Sequence, residues 1–244
     1  MKAKAKPDGA AAPSAVQTHG SPGEWARTRG LLKPLWPLPA GAFAGGFMAA
    51  AAIFAEGAAR AAAAAAFMAV ALACAWAWRK GIRRCESYFK GARGEEMAAA
   101  ALAAMPGPGH VFHDFRAGPG ICIDHLALLP GGAFSIETKY WNGRISVSDG
   151  RLLLDGAAPT RDPLAQAVRQ AAAAAAKLRA AGWSGDVTPV LCLASDSSPV
   201  PDGTMVGGAA VANVSGLAEW LAGRPPVCTQ GDLDRAAGIL ETEK

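Results

Sequence analysis

The chain has 244 residues, 51% of them hydrophobic, and a formal net charge of +4, which allows one good-sized domain and a smaller element. So slight a charge does not by itself mark a nucleic-acid surface. Five scattered cysteines without a C-x-x-C exclude a disulfide framework and a zinc–thiolate site, and suit a reducing compartment. Alanine inflates the apolar fraction, so the core must come from the Leu, Ile, Val, Phe and Trp residues beyond Tyr88.

Residues 1–30, with Lys2, Lys4 and Lys6 in a Pro/Gly/Ala/Ser-rich run, read as a disordered basic N-terminus. The apolar run starts too far in for a secretory signal peptide. Residues 35–55 carry no charge, Glu56 and Arg60 interrupt, and 61–78 are again uncharged. Each stretch is long enough to span a bilayer, so 31–80 read as a transmembrane helical hairpin with Glu56 and Arg60 at the external turn. Trp36, Trp76 and Trp78 lie toward the ends that share one side, where aromatic rings favour the interface. Arg27, Arg29 and Lys33 flank the first span, and Arg79, Lys80, Arg83 and Arg84 the second, which places both ends in the cytoplasm. The expectation is a multi-pass protein of the inner (cytoplasmic) membrane, in contact with lipid, with its globular part in the cytoplasm. The alternative is a soluble, oligomerising alanine-rich hairpin, since alanine inserts weakly and Pro37 and Pro39 shorten the first helix.

Residues 85–105 read as the next helix, ending at Pro106-Gly107-Pro108-Gly109. Glu95 and Glu96 follow Gly94; neighbours on a helix diverge by about 100°, so at most one faces a site squarely. A short strand at 111–116 leads through Gly118-Pro119-Gly120 into 121–144, ICIDHLALLPGGAFSIETKYWNGR, two strands around Pro130-Gly131-Gly132. Strand side chains alternate, so Phe134 and Ile136 share one face, and Glu137 and Lys139 the other. Asp124 interrupts an apolar run, where a charge is costly unless paired or metal-bound. His113 and His125 point away from their acidic neighbours Asp114 and Asp124 and read as structural. Two carboxylates from adjacent strands can hold Mg²⁺, and a lysine beside them can orient or deprotonate a water. Glu-x-Lys alone is common, and an ordinary surface pair is the competing reading.

Residues 143–155 read as a hairpin around Asp149-Gly150, a type I′ signal. Asp162-Pro163 opens a helix as N-cap and first residue, and Gly182 closes it after Ala181. Its apolar stripe reads as Leu164, Val168, Ala171, Ala175 and Leu178, with Gln166 and Gln170 on another face beside Arg169. Strands are expected at 187–194 and 205–211, a polar loop at 196–202, and closing helices at 215–221 and 232–240. Neither a serine-hydrolase elbow around Ser195 and Ser197, nor a phosphate-binding G-x-x-x-x-G-K-[ST] or G-x-G-x-x-G, is present.

GARGEE (91–96), the 121–145 hairpin and DPLAQAVRQ (162–170) occur in order and resemble the NERD domain, the nuclease-related domain of the PD-(D/E)XK superfamily. Ile123 stands where that superfamily's name has proline, which is not a ligand. The resemblance implies an α/β, restriction-endonuclease-like mixed sheet flanked by helices over 86–244, preceded by the transmembrane hairpin. It implies a Mg²⁺- or Mn²⁺-dependent endonuclease acting on DNA or RNA, with metal ligation at Asp124 and Glu137. The catalytic lysine would be Lys139, with supporting roles for Glu95 and Gln166, and a homodimer is the assembly common among such nucleases. Arg144, Arg151, Arg161 and Arg169 are the main phosphate contacts on offer. Because they form no dense basic face, the alternative is a catalytically inactive membrane-tethered module that binds nucleic acid or a partner protein.

Overall fold

A computed structural model describes residues 15–195 and 198–242. Residues 1–14 of the stretch 1–30 expected to be disordered, and Asp196 and Ser197 of the polar loop, lie outside the described residues, while residues 24–30 are helical rather than disordered. The chain divides into two compact units, Gly23–Arg93 and the residues before and after it.

The Gly23–Arg93 unit is helical: α1 (Glu24–Leu35), α2 (Pro37–Phe54) and the part of α3 (Gly57–Ala103) up to Arg93. The sequence suggests separate helices at 61–78 and 85–105, but α3 runs unbroken for 47 residues. No proline separates the two stretches, and Gly81 and Gly91 cost only about 1 kcal/mol each, too little to break a helix rich in alanine and long side chains. At the turn, Ala55 is extended and Gly57 has φ 53°, while Arg60 Nε donates to the Ala55 carbonyl at 2.9 Å.

Small residues let these helices approach closely. A Cβ at Gly41 would collide with Cys74 Sγ, one at Gly30 would stand 2.6 Å from Tyr88 Cβ, and Gly45 faces Phe67 and Val70. Cys85 Sγ donates to the Gly30 carbonyl at 3.0 Å. The large apolar side chains point outward instead: Phe43, Phe47, Phe54, Leu72 and Trp76 are all exposed. Two stretches, Glu24–Phe54 and α3, are long and apolar enough to cross a membrane.

The other unit is built on a mixed seven-stranded sheet. Its strands are β1 (Gln17–His19), β2 (His110–Gly118), β3 (Ile121–Leu129), β4 (Gly132–Lys139), β7 (Val187–Leu193), β8 (Thr204–Val206) and β9 (Ala209–Asn213), in the order β1-β2-β3-β4-β7-β9-β8. The β1/β2, β4/β7 and β7/β9 pairs are parallel and the rest antiparallel. A separate hairpin, β5 (Ile145–Ser148) and β6 (Arg151–Leu154), turns at Asp149 and Gly150, whose φ values of 50° and 69° suit a type I′ turn.

Alternation along the strands sorts the core onto two faces. Val111, Ala127, Phe134, Ile136 and Val190 pack with Ala98 and Leu102 of α3 and with Leu217 and Leu221 of α5 (Val214–Ala222). Phe112, Leu126, Leu128 and Ala133 pack with Ala171, Ala174 and Leu178 of α4 (Pro163–Ala180) and with Leu233 and Leu240 of α6 (Gln230–Thr242). The expected α/β sheet with flanking helices is therefore present.

Three local expectations change. Gln17–His19 is a strand, because Val16 is buried and His19 stacks on Phe112 at 4.4 Å. His19 also meets His110 at 3.1 Å and Glu241 at 2.6 Å, and His110 meets Asp234 at 2.9 Å. The stretch 205–211 is a hairpin of two strands, since Gly207 and Gly208, at φ 56° and 84°, form its turn. On α4 the buried stripe is Leu164, Ala167, Ala171, Ala174 and Leu178; Val168 is exposed, and Gln170 is buried.

Candidate active site

The β3–β4 ladder is regular from Leu129 opposite Gly132 to His125 opposite Ile136. Beyond that point the Asp124 carboxylate, rather than a strand carbonyl, accepts the Thr138 N–H at 2.7 Å. β4 meanwhile stays paired with β7 as far as Lys139 opposite Leu193. Glu137 and Lys139 thus sit on the fourth of seven strands, at the place where its neighbour β3 lets go.

Glu137 is 2% exposed. One of its oxygens accepts from Lys139 Nζ, and the other accepts from Gln170 Nε2 at 2.6 Å. Lys139 Nζ also donates to Gln166 Oε1 at 3.4 Å. Gln170 Nε2 donates in addition to the Cys122 carbonyl at 2.8 Å. Asp162 caps α4, accepting from the Leu164 and Ala165 amides at 2.9 and 3.1 Å. That cap fixes the start of the helix whose first turns carry both glutamines.

Burial pushes the Asp124 carboxyl well above its ordinary value, reinforced by the charges of Glu137 and Glu95 and opposed by the Thr138 N–H and Lys139. Glu95 is 9% exposed, while Glu96 is half-buried. Gly94 explains how α3 comes close enough to deliver Glu95. A Cβ there would lie 3.0 Å from Tyr140 Cβ, 3.3 Å from Ala194 Cβ and 3.5 Å from Thr138 Cγ2.

The structure therefore gathers Glu95, Asp124, Glu137, Lys139 and Gln166 into one neighbourhood. One further residue, Gln170, belongs to it through its bonds to Glu137 and the Cys122 carbonyl. Gln170 lies one helical turn beyond Gln166, an i, i+4 spacing that could have signalled it. Beside the site, Asp114, left-handed (φ 49°) within β2, adds its charge to that of Asp124 on Cys122, whose thiol burial raises to about 12. His113 and His125 face the α3 side. They bond to each other through Nδ1 at 2.8 Å. Burial holds them below the ordinary imidazole value, at about 4 and about 3.

Among the described residues, no three His, Cys, Asp or Glu side chains stand as a ready cage for a metal ion. What the site offers is three carboxylates balanced by one ammonium, with two amide side chains holding the charged groups in place.

Residues 90–194, from α3 through β7, match the family model of NERD, the nuclease-related domain. No curated protein and no solved structure matches the chain.

Proposed function

The segment 90–194 is a nuclease-related domain, of the PD-(D/E)XK-like nuclease superfamily, and from that premise we propose that the chain is a membrane-anchored, divalent-metal-dependent nuclease with a restriction-endonuclease-like fold. Its substrate is a phosphodiester bond of DNA or RNA. The observation that carries this reading is the convergence of Asp124, Glu137, Glu95 and Lys139 where β3 and β4 part.

The donor set fits Mg²⁺ or Mn²⁺. It consists of carboxylate oxygens, the hard ligands those ions prefer, and Asp124 is raised partly because Glu137 and Glu95 crowd it with negative charge. Lys139 offsets only one of those charges. Asp124 and Glu137 would hold the ion, with Glu95 assisting. When bound, the metal acidifies a water and stabilises charge on the phosphate. Lys139 Nζ, held between Glu137 and Gln166, would orient that water, or take its proton after first giving up one of its own. Gln166 keeps the ammonium in place. Arg144, Arg151, Arg161 and Arg169, all exposed, are available to phosphates. Cutting both strands of a duplex would call for two such sites, as a homodimer supplies.

The helical unit supports an anchor in the inner membrane. Its apolar side chains face outward, and its basic residues flank the apolar stretches, which suits anionic headgroups and a cytoplasmic nuclease domain. Membrane fractionation before and after carbonate or detergent extraction tests this; release by carbonate alone rejects it.

One observation favours a second reading, an inactive tethered module that binds nucleic acid or a partner protein. Both Glu137 oxygens are already engaged by Lys139 and Gln170. The readings separate when the full chain in micelles meets plasmid and single-stranded DNA and RNA with Mn²⁺. Cleavage by the parent that Asp124→Ala abolishes supports the nuclease. Binding without cleavage, with no dependence on Asp124, supports the module.

A further inference from the structure

Glu137 cannot fix its own direction. Beyond His125 and Ile136 the β3–β4 ladder has ended, so no strand-to-strand bond holds the carboxylate side of β4 against β3. Lys139 grips one Glu137 oxygen, but Lys139 is a flexible side chain from the same strand and partly open to solvent. The second oxygen has a different partner. Gln170 reaches across from α4, is 4% exposed, and places Nε2 at 2.6 Å from Glu137 and 2.8 Å from the Cys122 carbonyl.

Both neighbours of that nitrogen are acceptors. The amide can face them only with its NH₂ group, because the flipped orientation would set its oxygen against a carboxylate and a carbonyl. One NH₂ thus spans the gap between β3 and β4, with one hydrogen for each strand. Asp124 crosses the same gap in the other direction through the Thr138 N–H.

We propose that Gln170 is a positioning residue of this site: its side-chain amide anchors the Glu137 carboxylate to the β3 backbone next to Asp124 and so sets the direction in which Glu137 presents its oxygens. The consequence for metal affinity rests on Glu137 being a ligand, as proposed above; the anchoring itself does not. Partners that orient a ligating carboxylate typically change metal affinity by roughly ten- to a hundredfold when removed.

Two measurements on the full chain in micelles decide it. The first needs no metal: with glutamine isotope-labelled, the Gln170 side-chain amide protons are followed by NMR in the parent and in Glu137→Ala. Slow solvent exchange in the parent that becomes fast in Glu137→Ala supports the anchor; fast exchange in the parent overturns it. The second is Mn²⁺ affinity in Gln170→Leu, a variant that keeps the packing volume, beside its urea unfolding midpoint. A loss of roughly ten- to a hundredfold, whether or not the midpoint moves, supports positioning. An unchanged affinity beside a lowered midpoint makes Gln170 a mere packing residue and overturns the proposal. Should the parent take up no Mn²⁺, the metal reading of Glu137 falls, and the exchange measurement alone decides the anchor.

Discussion

Gly94→Ala sets two effects of known size against each other. Replacing a mid-helix glycine by alanine stabilises a helix by about 1 kcal/mol. The new Cβ, however, would sit 3.0 Å from Tyr140 Cβ, 3.3 Å from Ala194 Cβ and 3.5 Å from Thr138 Cγ2. Relief to ordinary contact distance needs α3 and β4 to part by roughly half an ångström. Overpacking of this kind costs about 1–3 kcal/mol, so the clash outweighs the propensity gain and the net loss is about 1 kcal/mol. The larger effect falls on the site, because the residue that moves with Gly94 is Glu95. Displacement of a reacting constellation by up to an ångström lowers rate by roughly ten- to a hundredfold. Gly91→Ala is the control: nothing lies within 4 Å of its Cβ, so it should gain about 1 kcal/mol with an unchanged rate. Urea unfolding read by pulse proteolysis gives the stabilities, and Mn²⁺-dependent cleavage gives the rates. A Gly94→Ala protein that is more stable than the parent and fully active would refute the close-approach argument.

Other perturbations follow from the same geometry. Asp162→Ala removes the α4 cap and should cost about 1 kcal/mol, or a thermal midpoint lower by about 2–4 °C, with Asp162→Asn restoring most of it; an unchanged midpoint contradicts the cap. Asp124 is raised in the fold, so the stability it contributes is complete at low pH and is lost as pH rises through its folded value. Metal-free Asp124→Asn should therefore exceed the parent in stability at pH 8, with the gap closing toward pH 4; a variant weaker at pH 8 refutes this. His113 and His125 shift the other way, from 6.5 down to about 4 and about 3. Their contribution is present above the ordinary imidazole range and is lost as pH falls from about 6.5 toward those values. The double variant His113→Gln/His125→Gln should lose less stability than the parent between pH 7 and pH 5, and equal losses would show the pair to be irrelevant.

Much of this architecture was legible because it is written in local signals. The alternation of Phe134 and Ile136 against Glu137 and Lys139 marks β4, the Asp149-Gly150 pair marks the turn between β5 and β6, and Asp162-Pro163 marks the start of α4. What was not legible depends on long-range partners. Gln17–His19 is a strand only because His19 finds Phe112, His110 and Glu241, residues far along the chain. The length of α3 is hidden because a basic stretch between two apolar segments reads like a boundary, although glycine is too weak a helix breaker to make one. The sequence places Gln170 beside Gln166, off the apolar stripe, and glutamine on a helix normally faces water. Its burial follows from the way the β3–β4 ladder stops at His125, which no periodicity announces. The left-handed turn of β2 at Asp114 is hidden for the same reason.

The most direct test of the centre formed by Asp124, Glu137 and Lys139 is calorimetric titration of the full chain in micelles with Mn²⁺, for the parent, Asp124→Asn and Glu137→Gln. The account predicts saturable uptake by the parent and a loss of at least tenfold in affinity in each variant. Equal affinity in all three proteins, or no uptake by any of them, would contradict a metal centre where β3 and β4 part.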